Sequence, residues 1–162
     1  MNHDDILEKL LTAVKRKQIP QIMDLLTNEK FKCSVSSVLN KDTKQHGKQF
    51  LYDQQDDTAW SSNEGIPQWI AIEFEESQTL KSFSFQFQGG FAAKEAKIQI
   101  HKCEPVENSS IYEEPFYAED INAVQNFKLK TEQTNVKRIK FLIQNSTDFF
   151  GRIIVYNLMI FK

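Results

Sequence analysis

Alternating apolar and polar residues dominate the chain from residue 34 onward. In KSFSFQFQGG, Phe83, Phe85 and Phe87 alternate with serine and glutamine, which predicts a half-buried strand with one apolar face. Three other segments show the same period of two. Their predicted inward positions are Ile70, Ile72 and Phe74; Ala96, Ile98 and Ile100; and Ile139, Phe141 and Ile143. Phe127 and Leu129 mark a shorter candidate strand.

The last strand, RIIVYNLMIF, is apolar on both faces, which predicts a central position in a sheet. One face is predicted to carry Ile154, Tyr156, Leu158 and Ile160, and the other Ile153, Val155, Met159 and Phe161. Polar loops, not helices, separate the predicted strands. The pattern therefore predicts an all-β, antiparallel β-sandwich and argues against alternating strands and helices.

The first thirty residues have a helical period instead. ILEKLLTAVKRK places Ile6, Leu7, Leu10, Leu11 and Val14 on one stripe, with acids at its start and bases at its end, as the helix dipole favours. Pro20 then begins a second apolar helical pattern that ends near Asn28. We predict a helical hairpin extension at residues 1–32 and a β domain at 33–162. Either the domain or a partner protein covers the stripe, and its four residues after Ile6 are candidate protein-binding positions.

The segment TDFFGRIIVY allows two interpretations. Gly151 permits a tight bend or a close backbone approach, and Asp148 and Arg152 can pair across the turn. In a structural corner, Phe149 and Phe150 plug the end of the sandwich. In the alternative, Phe149, Phe150 and Arg152 form an exposed protein-binding site.

Charge and cysteine content narrow the class of protein. The 162 residues carry 20 basic and 22 acidic side chains, a net charge of −2, so there is no field of one sign to attract nucleic acid or an anionic membrane. The two cysteines form no CxxC pattern, and the start MNHDD is acidic where a secretory signal is basic. These features predict an intracellular protein, cytoplasmic or nuclear, with protein partners and without direct nucleic-acid or membrane binding.

Several longer strings are similar to a known family. SVSSVLN at 34–40, FLYDQQDDTAWSS at 50–62 and QWIAIEF at 68–74 follow the opening pattern of coagulation factor V/VIII type C, or discoidin, domains. QFQGGF at 86–91, FYAEDINAVQNF at 116–127 and TDFFGRIIVY narrow the resemblance to the nuclear receptor 2C2-associated protein family. The resemblance implies a galactose-binding-like jelly roll. Residues 1–32 and the region near 103–115 depart from the family pattern.

The resemblance also implies a non-enzymatic interaction protein that acts as a nuclear-receptor-associated transcriptional regulator. An alternative is a structural or adaptor subunit of a larger assembly, such as ciliary or axonemal machinery, and a third is a calcium-dependent or glycan-binding lectin. His3, His46 and His101 lie in unrelated segments, and nucleotide-binding and zinc-hydrolase motifs are absent from the sequence, so catalysis is not expected.

Some discoidin-like domains hold calcium in the loop that corresponds to DQQDDTAWSS. The resemblance makes Asp53, Asp56 and Thr58 candidate calcium ligands, with Glu73 a further candidate. The competing interpretation is that these acids cap turns by accepting bonds from backbone amides. Trp60 could form a sugar-binding platform, although packing of Trp60 and Trp69 within the sandwich is the favoured interpretation.

Overall fold

The computed structural model describes residues 3–8, 24–103 and 111–162. Within these ranges, the helical segments are α1 at residues 3–8, α2 at Leu25–Asn28, α3 at Thr43–His46, and two 3₁₀ turns at Leu39–Lys41 and Lys48–Leu51. Within the described residues, no helix has the length and apolar character that crossing a membrane requires.

Seven antiparallel strands follow within the described residues. They are β1 at Phe31–Val35, β2 at Trp60–Ser61, β3 at Gln68–Phe87, β4 at Ala93–Lys102, β5 at Tyr112–Phe116, β6 at Val124–Ser146 and β7 at Ile154–Phe161. The first half of β3 and the second half of β6 pair with each other and with β1 and β4, and β5 extends this first sheet. The other halves of β3 and β6 pair with each other and with β7 and β2 in a second sheet.

β3 and β6 therefore run through both layers. Their register shifts between Glu73 and Ser82, and these irregularities bend the pair from one sheet into the other. The alternation in the sequence had suggested separate short strands. Their faces were predicted correctly, because Ile70, Ile72 and the other predicted inward positions named for these segments, apart from half-buried Phe127, are all buried.

A cluster of phenylalanine rings joins the two layers. Phe85 in the second sheet lies 5.0 Å from Phe141 and 5.8 Å from Phe116 in the first, measured between ring centroids. Phe83 contacts the same two rings at 5.1 Å each. The strict alternation of β3 thus aims its aromatic face across the sandwich, as an all-β jelly roll requires.

The segment before β1 packs onto the sandwich. Leu25 and Leu26 are buried in the common core, and buried Asp24 accepts bonds from the backbone N–H groups of Leu26 at 3.1 Å and Ile160 at 3.0 Å. The domain itself thus covers Leu25 and Leu26. The boundary predicted between residues 32 and 33 falls inside β1. Residues 1–2 and 9–23 of the predicted hairpin lie outside the described residues.

β7 has hydrogen-bonded partners along both edges, but one of these edges is covered only in part. It pairs with β3 along most of its length, whereas β2 covers two residues and Asp24 bridges to Phe161. A bulge opposite Gln86 and Phe87 skips Tyr156, so Val155 and Leu158 both point inward. The central position predicted for this strand is thus only partly correct, and the predicted division of its two faces is wrong beyond the bulge.

Candidate binding surface at the loop end

Four loops meet at one end of the sandwich because the strand registers place their ends together. β3 begins opposite the end of β6 and finishes opposite the start of both β6 and β7, while β4 begins beside Ser146. We call this region the loop end. Its loops are residues 62–67, 88–92, 117–123 and 147–153.

Two phenylalanines project from the 147–153 loop into solvent. Phe149 is 94% exposed and Phe150 is 55% exposed, and their rings contact edge to face at 5.4 Å. Ile66 on the neighbouring loop is 52% exposed. The rings therefore do not plug the sandwich, and the exposed alternative describes their position correctly. Exposed aromatic pairs of this kind are enriched at protein interfaces.

An ion pair fixes the base of this loop. The Asp148 carboxylate accepts bonds from Arg152 Nε at 2.9 Å and from the Arg152 backbone N–H at 3.0 Å. These bonds to Arg152 lower the pKa of Asp148 below its usual value, since they favour the ionised carboxylate. The Arg152 guanidinium also lies 5.1 Å from the Phe91 ring and 5.8 Å from the Phe150 ring. Arg152 therefore makes its interactions within the loop, where it pairs with Asp148 and lies against the Phe150 ring.

Gly151 brings the loop against its neighbour. Its φ of +82° is rarely adopted by other residues, and a Cβ at this position would lie 2.8 Å from the carbonyl carbon of Gly65. The Gly65 N–H donates to the Phe150 carbonyl at 2.7 Å. The two loops therefore support each other directly below the phenylalanine pair.

Thr147 and Asp120 tie the remaining loops together. Thr147 donates its backbone N–H to Ala92 O at 2.9 Å, and its hydroxyl donates to Asp120 Oδ1 at 3.1 Å. Asp120 Oδ1 also accepts the Gly90 N–H at 2.7 Å. These bonds hold three loops in one arrangement, so the aromatic pair stands on a preorganised base.

The sequence analysis did not identify Ile66, Phe91 or Asp120 as part of this surface. They lie in three segments that only the strand topology brings beside residues 147–153. The local signals were present as turn sequences, EGIP at 64–67 and QGGF at 88–91. A turn signal does not say which other loop it meets.

Comparison with known proteins assigns this domain to a family. A model of the F5/8 type C domain matches residues 32–154. The nuclear receptor 2C2-associated protein of Xenopus laevis is 44% identical over 124 residues, which cover 76% of this chain and 88% of the relative. The chain belongs to the nuclear receptor 2C2-associated protein family. The Homo sapiens member is 36% identical over 126 residues, which cover 78% of this chain and 87% of the relative.

Solved structures agree with the fold of this nuclear receptor 2C2-associated family member. An F5/8 type C domain from Bacteroides fragilis aligns with a TM-score of 0.70 at 16% identity, covering 82% of this chain and 91% of that domain. The family 32 CBM from C. perfringens NanJ, solved in complex with galactose, gives 0.70 at 13% identity, covering 86% and 98%. At these identities the likeness concerns the fold alone.

The predicted calcium loop is a capped turn in this nuclear receptor 2C2-associated family member. Asp53 accepts bonds from the Gln55 backbone N–H at 3.1 Å and from the Thr58 hydroxyl at 2.6 Å. Asp56 is exposed in the turn, and Glu73 lies in β3. Across the described residues, no three His, Cys, Asp or Glu side chains form a group that could hold a metal ion. The Asp53 bonds are those of the turn-capping interpretation.

We expect calcium to leave the stability of this nuclear receptor 2C2-associated family member unchanged. A ligand that binds only the folded form at about 100 times its Kd adds about 2.7 kcal/mol, which raises the melting midpoint by roughly 5–10 °C. Thermal melts in millimolar calcium and in chelator should agree within about 1 °C. A higher midpoint in calcium that Asp53→Asn abolishes would contradict this expectation.

The two tryptophans and the N-terminal helical stripe, which the sequence analysis also considered as candidate sites, lie outside the loop end. Trp60 is completely buried and donates its indole N–H to Ser37 O at 2.9 Å, so its ring is not available as a sugar platform. Trp69 is half-buried beneath Lys140. Leu7 in α1 is 51% exposed, whereas Leu10, Leu11 and Val14 lie outside the described residues.

Proposed function

We propose that this chain is a non-enzymatic protein-interaction module that binds its partner through the Phe149–Phe150 pair at the loop end, and that it acts inside the cell as a nuclear-receptor-associated regulator. The observation that carries the proposal is the 94% exposure of Phe149 on a loop fixed by hydrogen bonds. The name shared by the relatives, nuclear receptor 2C2-associated protein, supports a receptor as the partner.

The surroundings of the pair favour a protein partner over a membrane or a sugar. Glu64 acts on Arg152 through its charge, and exposed Asp120 bonds to Thr147, so two acids lie around the apolar tip. An anionic membrane surface would repel them. The rings carry no hydroxyl or indole N–H with which to orient a sugar, whereas a hydrophobic pocket in a protein accepts phenylalanine directly.

Replacing both phenylalanines with alanine tests the proposal. Aromatic anchors at interfaces contribute at least about 2 kcal/mol, so Phe149→Ala with Phe150→Ala should weaken binding to purified nuclear receptor 2C2 by about thirtyfold or more. Biolayer interferometry with the immobilised full chain measures this. Ile111→Ser is the matched control, because Ile111 is 47% exposed and precedes β5 at the opposite end of the first sheet. Unchanged receptor binding by the double variant, or equal loss in the control, would exclude the loop end as the docking surface.

A second candidate is a structural or adaptor subunit that docks through its N-terminal helix. Ile6 is 43% exposed and Leu7 is 51% exposed on α1, so neither side chain is covered by the domain to the extent of a core residue. Ile6→Ser with Leu7→Ser separates the candidates. If the chain docks into an assembly through the helix, this variant loses the partners that affinity purification of the tagged wild-type chain recovers, while the double alanine variant keeps them.

A further inference from the structure

A basic groove lies on the outer face of the first sheet, away from the loop end. A cleft of about 460 Å³ is lined by Lys32, Lys48 and Arg138, together with Tyr52, Ala71 and Glu73. An adjoining cleft of about 500 Å³ shares Lys32 and Glu73 and adds Lys30, Glu75 and Lys137. We call the two together the basic groove. The groove follows β1 from Lys30 to Ser34, roughly 13 Å at about 3.3 Å per residue.

The strand register places several of these charged residues next to one another on neighbouring strands. Lys32 lies opposite Glu73, Glu73 lies opposite Arg138, and Arg138 lies opposite His101, which forms one row across four strands. Their neighbours Cys33, Ile72 and Ile139 are buried, so alternation directs the row to solvent. Lys48 reaches the same cleft from the 3₁₀ turn that contacts β1.

The lining of the groove carries more positive than negative charge. Its five cations face two acids, Glu73 and Glu75, although the whole chain has a net charge of −2. Two further acids, Glu29 and Glu76, border the groove at its Lys30 end. The ion pairs within the described residues join Lys81 to Glu132, Lys97 to Glu113 and Arg152 to Asp148, and none of them uses a groove cation. Among the groove cations, Lys137 donates a hydrogen bond to the Glu75 carbonyl at 2.7 Å.

Two titratable neighbours respond to this positive field. The pKa of His101 is lowered by burial and further by the charges of Arg138 and Lys140. Burial raises the pKa of the Cys33 thiol to about 12, and the charge of Lys48 acts in the opposite direction. Both charge effects have the sign expected where positive charge disfavours a proton and favours an anion.

We propose that the basic groove docks an acidic peptide segment of a partner protein, an extended run of four or five residues rich in aspartate or glutamate. The length follows from the groove's span along β1, and the charge follows from the excess of cations in its lining. The cations are few and are interrupted by Glu73 and Glu75, so they suit a short acidic peptide better than the long continuous phosphate backbone of a nucleic acid. The cations hold the carboxylates, and the half-buried rings of Tyr52 and Phe31 border the segment.

Fluorescence anisotropy with a labelled Gly-Glu₅-Gly peptide and the full chain tests the proposal at low salt. The glutamate peptide should bind, and the Gly-Gln₅-Gly peptide should not. Lys32→Glu with Arg138→Glu should weaken binding at least about tenfold, since each reversal turns an attraction into a repulsion. Lys94→Glu with Lys128→Glu is the matched control. It changes the net charge equally at two exposed lysines outside the groove, and it should retain binding within about twofold.

Lys48→Glu gives an independent second variant, because Lys48 lies outside the sheet. It should also weaken peptide binding. Equal loss in the control pair, binding of the glutamine peptide, or tighter binding of an oligothymidylate that the groove substitutions abolish would each overturn the proposal. The Phe149→Ala, Phe150→Ala variant should bind the glutamate peptide normally, so failure of this proposal and failure of the loop-end function are distinguishable.

Discussion

Replacing Phe85 with alanine is expected to lower the free energy of unfolding by about 3–5 kcal/mol. Phe85 is completely buried and contacts four other rings, two in each sheet. Truncation removes its transfer free energy and leaves a cavity between the layers. Because the rings around it belong to continuous strands, collapse of the cavity would require both sheets to move.

Urea unfolding of the variant and the wild type measures this loss. The midpoint should fall while the dependence of free energy on urea concentration stays the same, since the surface exposed on unfolding changes little. Phe149→Ala is the matched control, because it makes the same substitution at a ring that is 94% exposed, and it should change stability by less than about 0.5 kcal/mol. A loss below about 1 kcal/mol at Phe85 would show that this cluster does not hold the layers together.

The sequence predicted the faces of the strands better than their continuity. Period-two alternation depends on local geometry, and it correctly placed Phe83, Phe85 and Phe87 in the core. The joining of two predicted strands into β3 depends on register shifts between Glu73 and Ser82 against β6. The partner residues in β6, from Arg138 opposite Glu73 to Lys128 opposite Ser82, lie more than forty residues away in the sequence, so no local pattern reports them. The bulge beside Tyr156 shifted the faces of β7 for the same reason.

At the loop end, too, the local features could be predicted from the sequence, whereas the contacts between distant segments could not. The pairing of Asp148 with Arg152 and the bend at Gly151 follow from a short sequence, and the structure contains both. Whether adjacent phenylalanines point inward or outward does not follow from that sequence, because core and exposed aromatics look alike in it. Exposure of the pair depends on contacts from Gly65, Phe91 and Asp120, which are distant in the chain.

Gly151→Ala is expected to destabilise the domain by about 2–4 kcal/mol and to displace the phenylalanine pair. The left-handed backbone at Gly151 alone costs a non-glycine residue about 1–2 kcal/mol. A Cβ would in addition lie 2.8 Å from Gly65 C and 2.9 Å from Gly65 O, which are backbone atoms that cannot rotate aside. The loops must therefore separate, and the bond from the Gly65 N–H to the Phe150 carbonyl is lost.

Gly90→Ala separates the cost of the left-handed backbone from the cost of the collision with Gly65. Gly90 has a φ of +90°, but a Cβ there would meet nothing within 4 Å, so this variant suffers the backbone strain without the collision. Urea unfolding should show a loss of about 1–2 kcal/mol for Gly90→Ala and a larger loss for Gly151→Ala. The excess measures the contact between the 62–67 and 147–153 loops. Equal losses would mean that the loops separate at no cost, and the base of the aromatic pair would then not be preorganised. If the contact does hold the pair in place, Gly151→Ala should weaken receptor binding in proportion to that excess, although both phenylalanines remain.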